Sequence, residues 1–277
     1  MTEFDDALRL TPTDTPGAYG VDLSGDWTIG GGINGGLLLS VMGNALSQTL
    51  GAGGHPDPFS ISAYYLAPGR PGPATVETAL VRKGGSVSVG SASLVQRDAD
   101  GNPVEAIRVL ATFTDLDRTP TDSDVRLTPP ELPPLDKCVR ASDAPPAVLK
   151  EADLLQRSDL RLDPATAMWA VGQPSGRGMI QGWWRFADGR EADALSLLFA
   201  CDVLPPVSMD LGKLGWAPTI EFTVHVLGKP ASGWLRIKHF TEHVAAGHFV
   251  EDCEVWDSED RLVAQSRQLA RLPRPLG

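Results

Sequence analysis

The feature that most constrains this chain is an internal repeat. A long apolar segment followed by a run of short strand-like segments occurs twice in the 277 residues, at an offset near 160. Pro58 falls on Pro218 at 160, and after a one-residue slip Asp98 falls on Asp257 and Val104 on Val263 at 159. Identity between the copies is low, so the order of elements and the turn positions carry the correspondence.

In the first copy, the glycines of 30–36 break regular structure. From Leu37 the sequence GLLLSVMGNALSQTL predicts a buried helix of roughly four turns ending near Gly51. Strands are expected at 58–66, 74–83, 86–97 and 103–114, joined by Gly, Pro and Asp turns, which describes an antiparallel meander. Residues 1–25 read as irregular, and residues 118–150, rich in Pro, Asp and Thr, read as a linker between units spanning 1–117 and 151–277. The second copy gives a strand and turn at 178–189 and a helix over 190–204 that stops at Pro205 and Pro206. Strands follow at 218–230, 234–244, 247–257 and 261–272.

One helix plus a meander is an α+β unit. A curved antiparallel sheet with one apolar face can wrap an apolar helix and bury both, which is the hot-dog arrangement. One such sheet leaves an open edge strand, and pairing two units edge to edge within one chain removes it. The expected fold is therefore a double hot-dog, with ligand sites between the units.

Composition removes several function classes. The formal net charge is −11, which argues against a nucleic-acid binder. No apolar run approaches the roughly 18 residues of a membrane span, and the acidic start MTEFDDALRL is no secretory signal. Cys138, Cys201 and Cys253 form no CxxC pair and suggest no zinc site, so reduced thiols, a cytoplasmic location and no metal or cofactor are expected. No GxSxG elbow occurs, which leaves a serine hydrolase without support.

Three segments of the second half resemble the type II acyl-CoA thioesterase family of double hot-dog enzymes: LLFACDVLPP, APTIEFTVHV and RLVAQSRQLARL. INGGLLLSVM and the segment from ISAYYLAPG to SASLVQ are similar to that family's glycine-rich helix start and first sheet. The resemblance implies an acyl-CoA substrate. It places the family's catalytic aspartate on Asp202, its Thr/Ser on Thr219, with Thr223 as the fallback, and its glutamine on Gln268. Hydrolysis of a thioester needs an activated water and donors for the developing oxyanion. Asn34, Gly35 and Gly36, at a helix start, are candidates for that donor role or for close helix packing.

At the repeat offset, Phe59 and Val109 stand where Thr219 and Gln268 would be, which predicts one polar site per chain. Arg70, Arg82, Lys83, Lys229, Arg236 and Lys238 are candidates for holding the CoA phosphates, and Trp27, Tyr64, Tyr65, Trp183 and Trp184 for lining the acyl tunnel. Two other readings stand beside hydrolysis. A hot-dog hydratase uses an aspartate–histidine pair at a helix start, and 190–204 contains no histidine. A non-catalytic acyl-CoA or lipid-binding module would keep the fold without the base. A homodimer is a further expectation.

Overall fold

A computed structural model describes residues 2–119, 126–144 and 146–273. Its main helices are α1 (Gly35–Gly51) and α2 (Ser196–Ala200). The first half contributes β1 (Ala18–Leu23), β2 (Asp57–Tyr65), β3 (Gly72–Lys83), β4 (Ser88–Arg97) and β5 (Pro103–Thr114). The second contributes β6 (Ser158–Leu162), β7 (Met179–Phe186), β8 (Thr219–Val226), β9 (Leu235–Ala245), β10 (His248–Trp256) and β11 (Leu262–Arg271).

These strands form one antiparallel sheet in the order β1-β3-β4-β5-β2-β8-β11-β10-β9-β7-β6. The two-residue strands Thr11–Pro12 and Val139–Arg140 complete its edges, giving 13 strands. The halves join at β2 and β8, where Ser62 lies opposite Thr223 and the Thr223 hydroxyl meets that of Ser62 at 2.9 Å. Each half folds its apolar face over a helix, so the fold is the double hot-dog. Among the described residues, no helix is long and apolar enough to cross a membrane.

The sheet alternates as a one-sided sheet must. In β9, Leu235, Ile237, His239 and Thr241 are buried, while Arg236, Lys238 and Phe240 are less so. Helix α1 is apolar on nearly every side, because the sheet wraps one flank and α2 covers another. Its contact with α2 runs along Gly36, Ser40 and Gly43. A Cβ on Gly36 would lie 2.7 Å from Cβ of Asp202, and one on Gly43 would lie 2.8 Å from a Leu198 methyl. The Ser40 hydroxyl is shared between the carbonyls of Gly36 (2.9 Å) and Leu195 (3.1 Å), so the seam is close.

Three local expectations change. The helix expected over 190–204 is confined to Ser196–Ala200, because Asp193 and Ser196 cap one another. The Ser196 amide donates to the Asp193 carboxylate at 2.8 Å and the Asp193 amide to the Ser196 hydroxyl at 2.7 Å, which delays the helix start. Residues 1–25 contain a helical turn (Glu3–Ala7) and β1 rather than only irregular chain. Buried Phe4 packs at 4.8 Å between ring centroids from Phe186 of the second half.

Finally, bulges fall between Pro58 and Ser60 in β2 and between Thr219 and Glu221 in β8. This shared irregularity makes Pro58 and Ala111, not Phe59 and Val109, the counterparts of Thr219 and Gln268. These too are apolar, so the second half alone carries the polar pair.

Candidate active site

Asp202 lies just past the C-terminus of α2, where its amide still bonds to the carbonyl of Phe199 at 2.9 Å. A carboxylate there opposes its own helix dipole. The opposition is relieved by the other helix, because Asp202 points into the N-terminus of α1. Its Oδ2 accepts the Gly36 amide at 2.8 Å and the Asn34 Nδ2 at 3.0 Å. The same Asn34 amide donates to the Asp202 carbonyl at 3.0 Å, while Asn34 Oδ1 caps the Leu37 amide at 2.9 Å. Asn34 is thus both the cap of α1 and a clamp on Asp202. Gly36 is required by space: besides the Asp202 contact, its Cβ would lie 3.0 Å from the Leu198 carbonyl oxygen.

Asp202 is half-buried, hemmed in by protein yet still reached by solvent. Burial pushes its pKa up to about 6; the Gly36 amide, the field of His239 and the Asn34 amide pull it down, and the charge of Glu251 pushes it up. The group therefore titrates just below neutrality and is mostly ionised at pH 7. Tyr65 closes the same corner from β2, its hydroxyl donating to the Gly35 carbonyl at 2.8 Å. Burial, then the charges of Asp202 and Glu221, push the phenol well above its ordinary value, so it stays neutral.

The strand residues arrive through the bulge in β8. Along a regular strand Thr219 would share a face with Thr223 and His225, which turn outward. The extra residue at 219–221 reverses this and brings Thr219 to the inner face, where its hydroxyl donates to Gln268 Oε1 at 2.7 Å. Thr223 bonds instead to Ser62 and Glu221 on the outer face. Gln268 is buried on β11 and donates through Nε2 to Glu251 on β10. Glu251 in turn accepts the Val207 amide at 2.7 Å.

The structure thus joins Thr219 to Gln268 in one hydrogen-bonded row and Asn34 and Gly36 to Asp202 in another. No hydrogen bond joins the two rows among the described residues. Gly36 spends its N–H on Asp202 rather than presenting it to a ligand. Gly35, at the first helical position, has no acceptor for its N–H among the described hydrogen bonds.

Glu251 and His239 were missed by sequence reasoning, yet a signal existed. In HFVEDCEVW and LRIKHFTEH each sits at an inward position of a period-2 pattern, a polar residue in an apolar row. Of the candidate tunnel aromatics, Trp27 and Trp184 are core, Tyr64 is 55% exposed, and the indole of Trp183 donates to the Pro133 carbonyl at 3.0 Å. Among the basic candidates, Lys229 pairs with Asp57 and Asp117 and Arg236 with Asp260. Arg70 lines a surface groove of about 560 Å³ together with Arg97. This groove opens beside the loop that precedes α1, where the Ile33 amide bonds to the Gly69 carbonyl at 2.9 Å.

Comparison with known proteins agrees with the fold. Residues 23–114 match the acyl-CoA thioesterase N-terminal domain and residues 129–272 the acyl-CoA thioesterase C-terminal domain. The chain belongs to the acyl-CoA thioesterase family and is a double hot-dog thioester hydrolase. A candidate thioesterase II from Thermobifida fusca is 30% identical, with 99% of this chain and 98% of that one covered and a TM-score of 0.84. A hot-dog protein of unknown function from Alicyclobacillus acidocaldarius, 22% identical and fully covered on both sides, superposes with a TM-score of 0.82. An uncharacterized protein of Mycobacterium tuberculosis is 27% identical, covering 98% of both chains.

Proposed function

We propose that the protein hydrolyses a fatty acyl-CoA to free fatty acid and CoA, with Asp202 as the base that activates water. The observation that carries this reading is a half-buried carboxylate with its pKa raised to about 6, held against a helix N-terminus where the halves of a thioesterase fold meet. A base with that value is ionised at neutral pH and still basic enough to take a proton from water.

In the proposed step, Asp202 accepts the proton as the water oxygen bonds to the thioester carbonyl carbon. Thr219 offers lone pairs to that water, because its hydrogen is committed to Gln268. The N–H of Gly35, which has no acceptor among the described hydrogen bonds, is the proposed donor to the oxyanion, supported by the dipole of α1. Collapse of the intermediate breaks the carbon–sulfur bond, and the Asp202 proton passes to the departing CoA thiolate. The acid product keeps the water oxygen, and Asp202 returns to its starting form. The 560 Å³ groove lined by Arg70 and Arg97 is the proposed seat of the CoA phosphates.

The test is thiol release from a panel of acyl-CoAs of increasing chain length. Asp202→Asn is expected to remove about 10²–10⁴ of the turnover, the usual contribution of a general base. Arg70→Ala is expected to raise KM with little change in kcat, and an unchanged KM would reject the groove as the phosphate site.

A further inference from the structure

We propose that Glu251 is a positioning residue that fixes the direction of the Gln268 amide, with His239 packed beside it behind the catalytic row. This rests on the reading of Asp202 as the base.

The geometry begins with register. Glu251 lies directly opposite Gln268 across β10 and β11, and both side chains turn inward. Glu251 is 2% exposed, Gln268 6% and His239 1%. A Gln amide has an accepting end and a donating end, and nothing in its shape distinguishes them. An ionised carboxylate only accepts, so Glu251 forces Nε2 of Gln268 toward itself. Oε1 must then face Thr219 and take its hydroxyl hydrogen. The direction set at Glu251 is passed along: Thr219 is left presenting lone pairs, and the second N–H of Gln268 has no acceptor among the described hydrogen bonds. The second oxygen of Glu251 holds the Val207 amide, which anchors the chain leaving Asp202.

His239 Nδ1 lies 3.3 Å from Glu251 Oε1, within ion-pair reach but outside hydrogen-bonding geometry. Neither ring nitrogen has a hydrogen-bond partner among the described residues. The pair also acts on Asp202 in opposite senses, Glu251 raising its pKa and His239 lowering it, after the larger effects of burial and the Gly36 amide. The other groups around Asp202 are Asn34, which caps α1, Gly36 in its first turn, neutral Tyr65 on β2 with Glu221 beyond it, and the neighbouring Cys201. The Cys201 thiol meets that of Cys253 on β10.

The test compares Glu251→Gln and His239→Gln with the parent, after circular dichroism and melting curves establish that each is folded. Glu251→Gln lets the Gln268 amide flip. It is expected to lower kcat about tenfold or more through misplacement of the row, with KM little changed. It should move the acid limb of the pH–rate profile to lower pH, whereas His239→Gln should move it to higher pH. A purely structural role would not give opposed shifts.

The Asp202 carboxyl ¹³C resonance, assigned with Asp202→Asn, reads the same opposed shifts without turnover. This separates failure of the pair from failure of the proposed hydrolysis. In the parent, one Gln268 side-chain amide proton, assigned with Gln268→Ala, should be shifted downfield and slow to exchange. Variants that fold but keep the parent's kcat and acid limb would overturn the proposal. So would a Gln268 amide with ordinary shifts and fast exchange, which needs no folded variant at position 251.

Discussion

At the residue scale, the site is organised by what each side chain is denied. Asp202 is denied full hydration, which raises its pKa, and is given two donors from another helix in return. The folded pKa of about 6 lies above the unfolded value of 3.8, so ionising Asp202 destabilises the fold. That penalty is absent below pH 3.8, develops between 3.8 and 6, and is complete above 6. A shift of about two units corresponds to about 3 kcal/mol. Asp202→Asn can still accept from Gly36 and Asn34 through its carbonyl oxygen. It is therefore expected to raise the melting temperature at pH 7.5 and to lose that advantage near pH 4, which paired thermal melts would check. For turnover the sign is the reverse: kcat should fall as pH drops through about 6, following protonation of Asp202.

At the element scale, two devices make the site. One is the small-residue seam on α1, which lets α2 approach until Asp202 reaches the Gly36 amide. Gly36→Ala would drive a methyl into Asp202 and the Leu198 backbone. It should cost about 1–3 kcal/mol by overpacking and also displace the carboxylate, measurable as a lower denaturation midpoint together with lost turnover. The other is the bulge at Thr219–Glu221, which turns Thr219 inward. These two devices also mark what the sequence disclosed. The glycines at 35 and 36 and the strands expected at 58–66, 74–83, 86–97 and 103–114 were legible because helix and strand signals are local. The choice between Thr219 and Thr223 was not, because a bulge is set by pairing with β11, a partner far along the chain. The short α2 was misjudged because Asp193 and Ser196 satisfy one another's amides, a reciprocal cap that hydrophobic periodicity does not register. Glu251 and His239 were legible as polar breaks in apolar rows, but their meaning depended on which strands lie side by side.

At the scale of the whole molecule, the repeat yields one sheet and one polar site. The halves share the β2–β8 seam, and the N-terminal segment ties them again: Phe4 enters the aromatic cluster of Trp27, Phe186 and Phe199, and Arg190 reaches back to Asp5 at 2.8 Å. Phe4→Ala is expected to cost about 3–5 kcal/mol, the usual loss for a buried phenylalanine, although the residue lies far from Asp202 in sequence. Chemical denaturation would measure it. A single transition followed by tryptophans of both halves would show that they unfold together. Because the counterparts of Thr219 and Gln268 are Pro58 and Ala111, one acyl-CoA should bind per chain. Calorimetric titration of Asp202→Asn, which is expected to bind with little turnover, would give that stoichiometry.

In the proposed reaction, Asp202 is the base that makes this double hot-dog a hydrolase. The most direct measurement is the rate of CoA thiol release from a saturating acyl-CoA by the parent and by folded Asp202→Asn, at pH 7.5. The account predicts turnover by the parent and a loss of about 10²–10⁴ in the variant. Equal rates in the two proteins would contradict it.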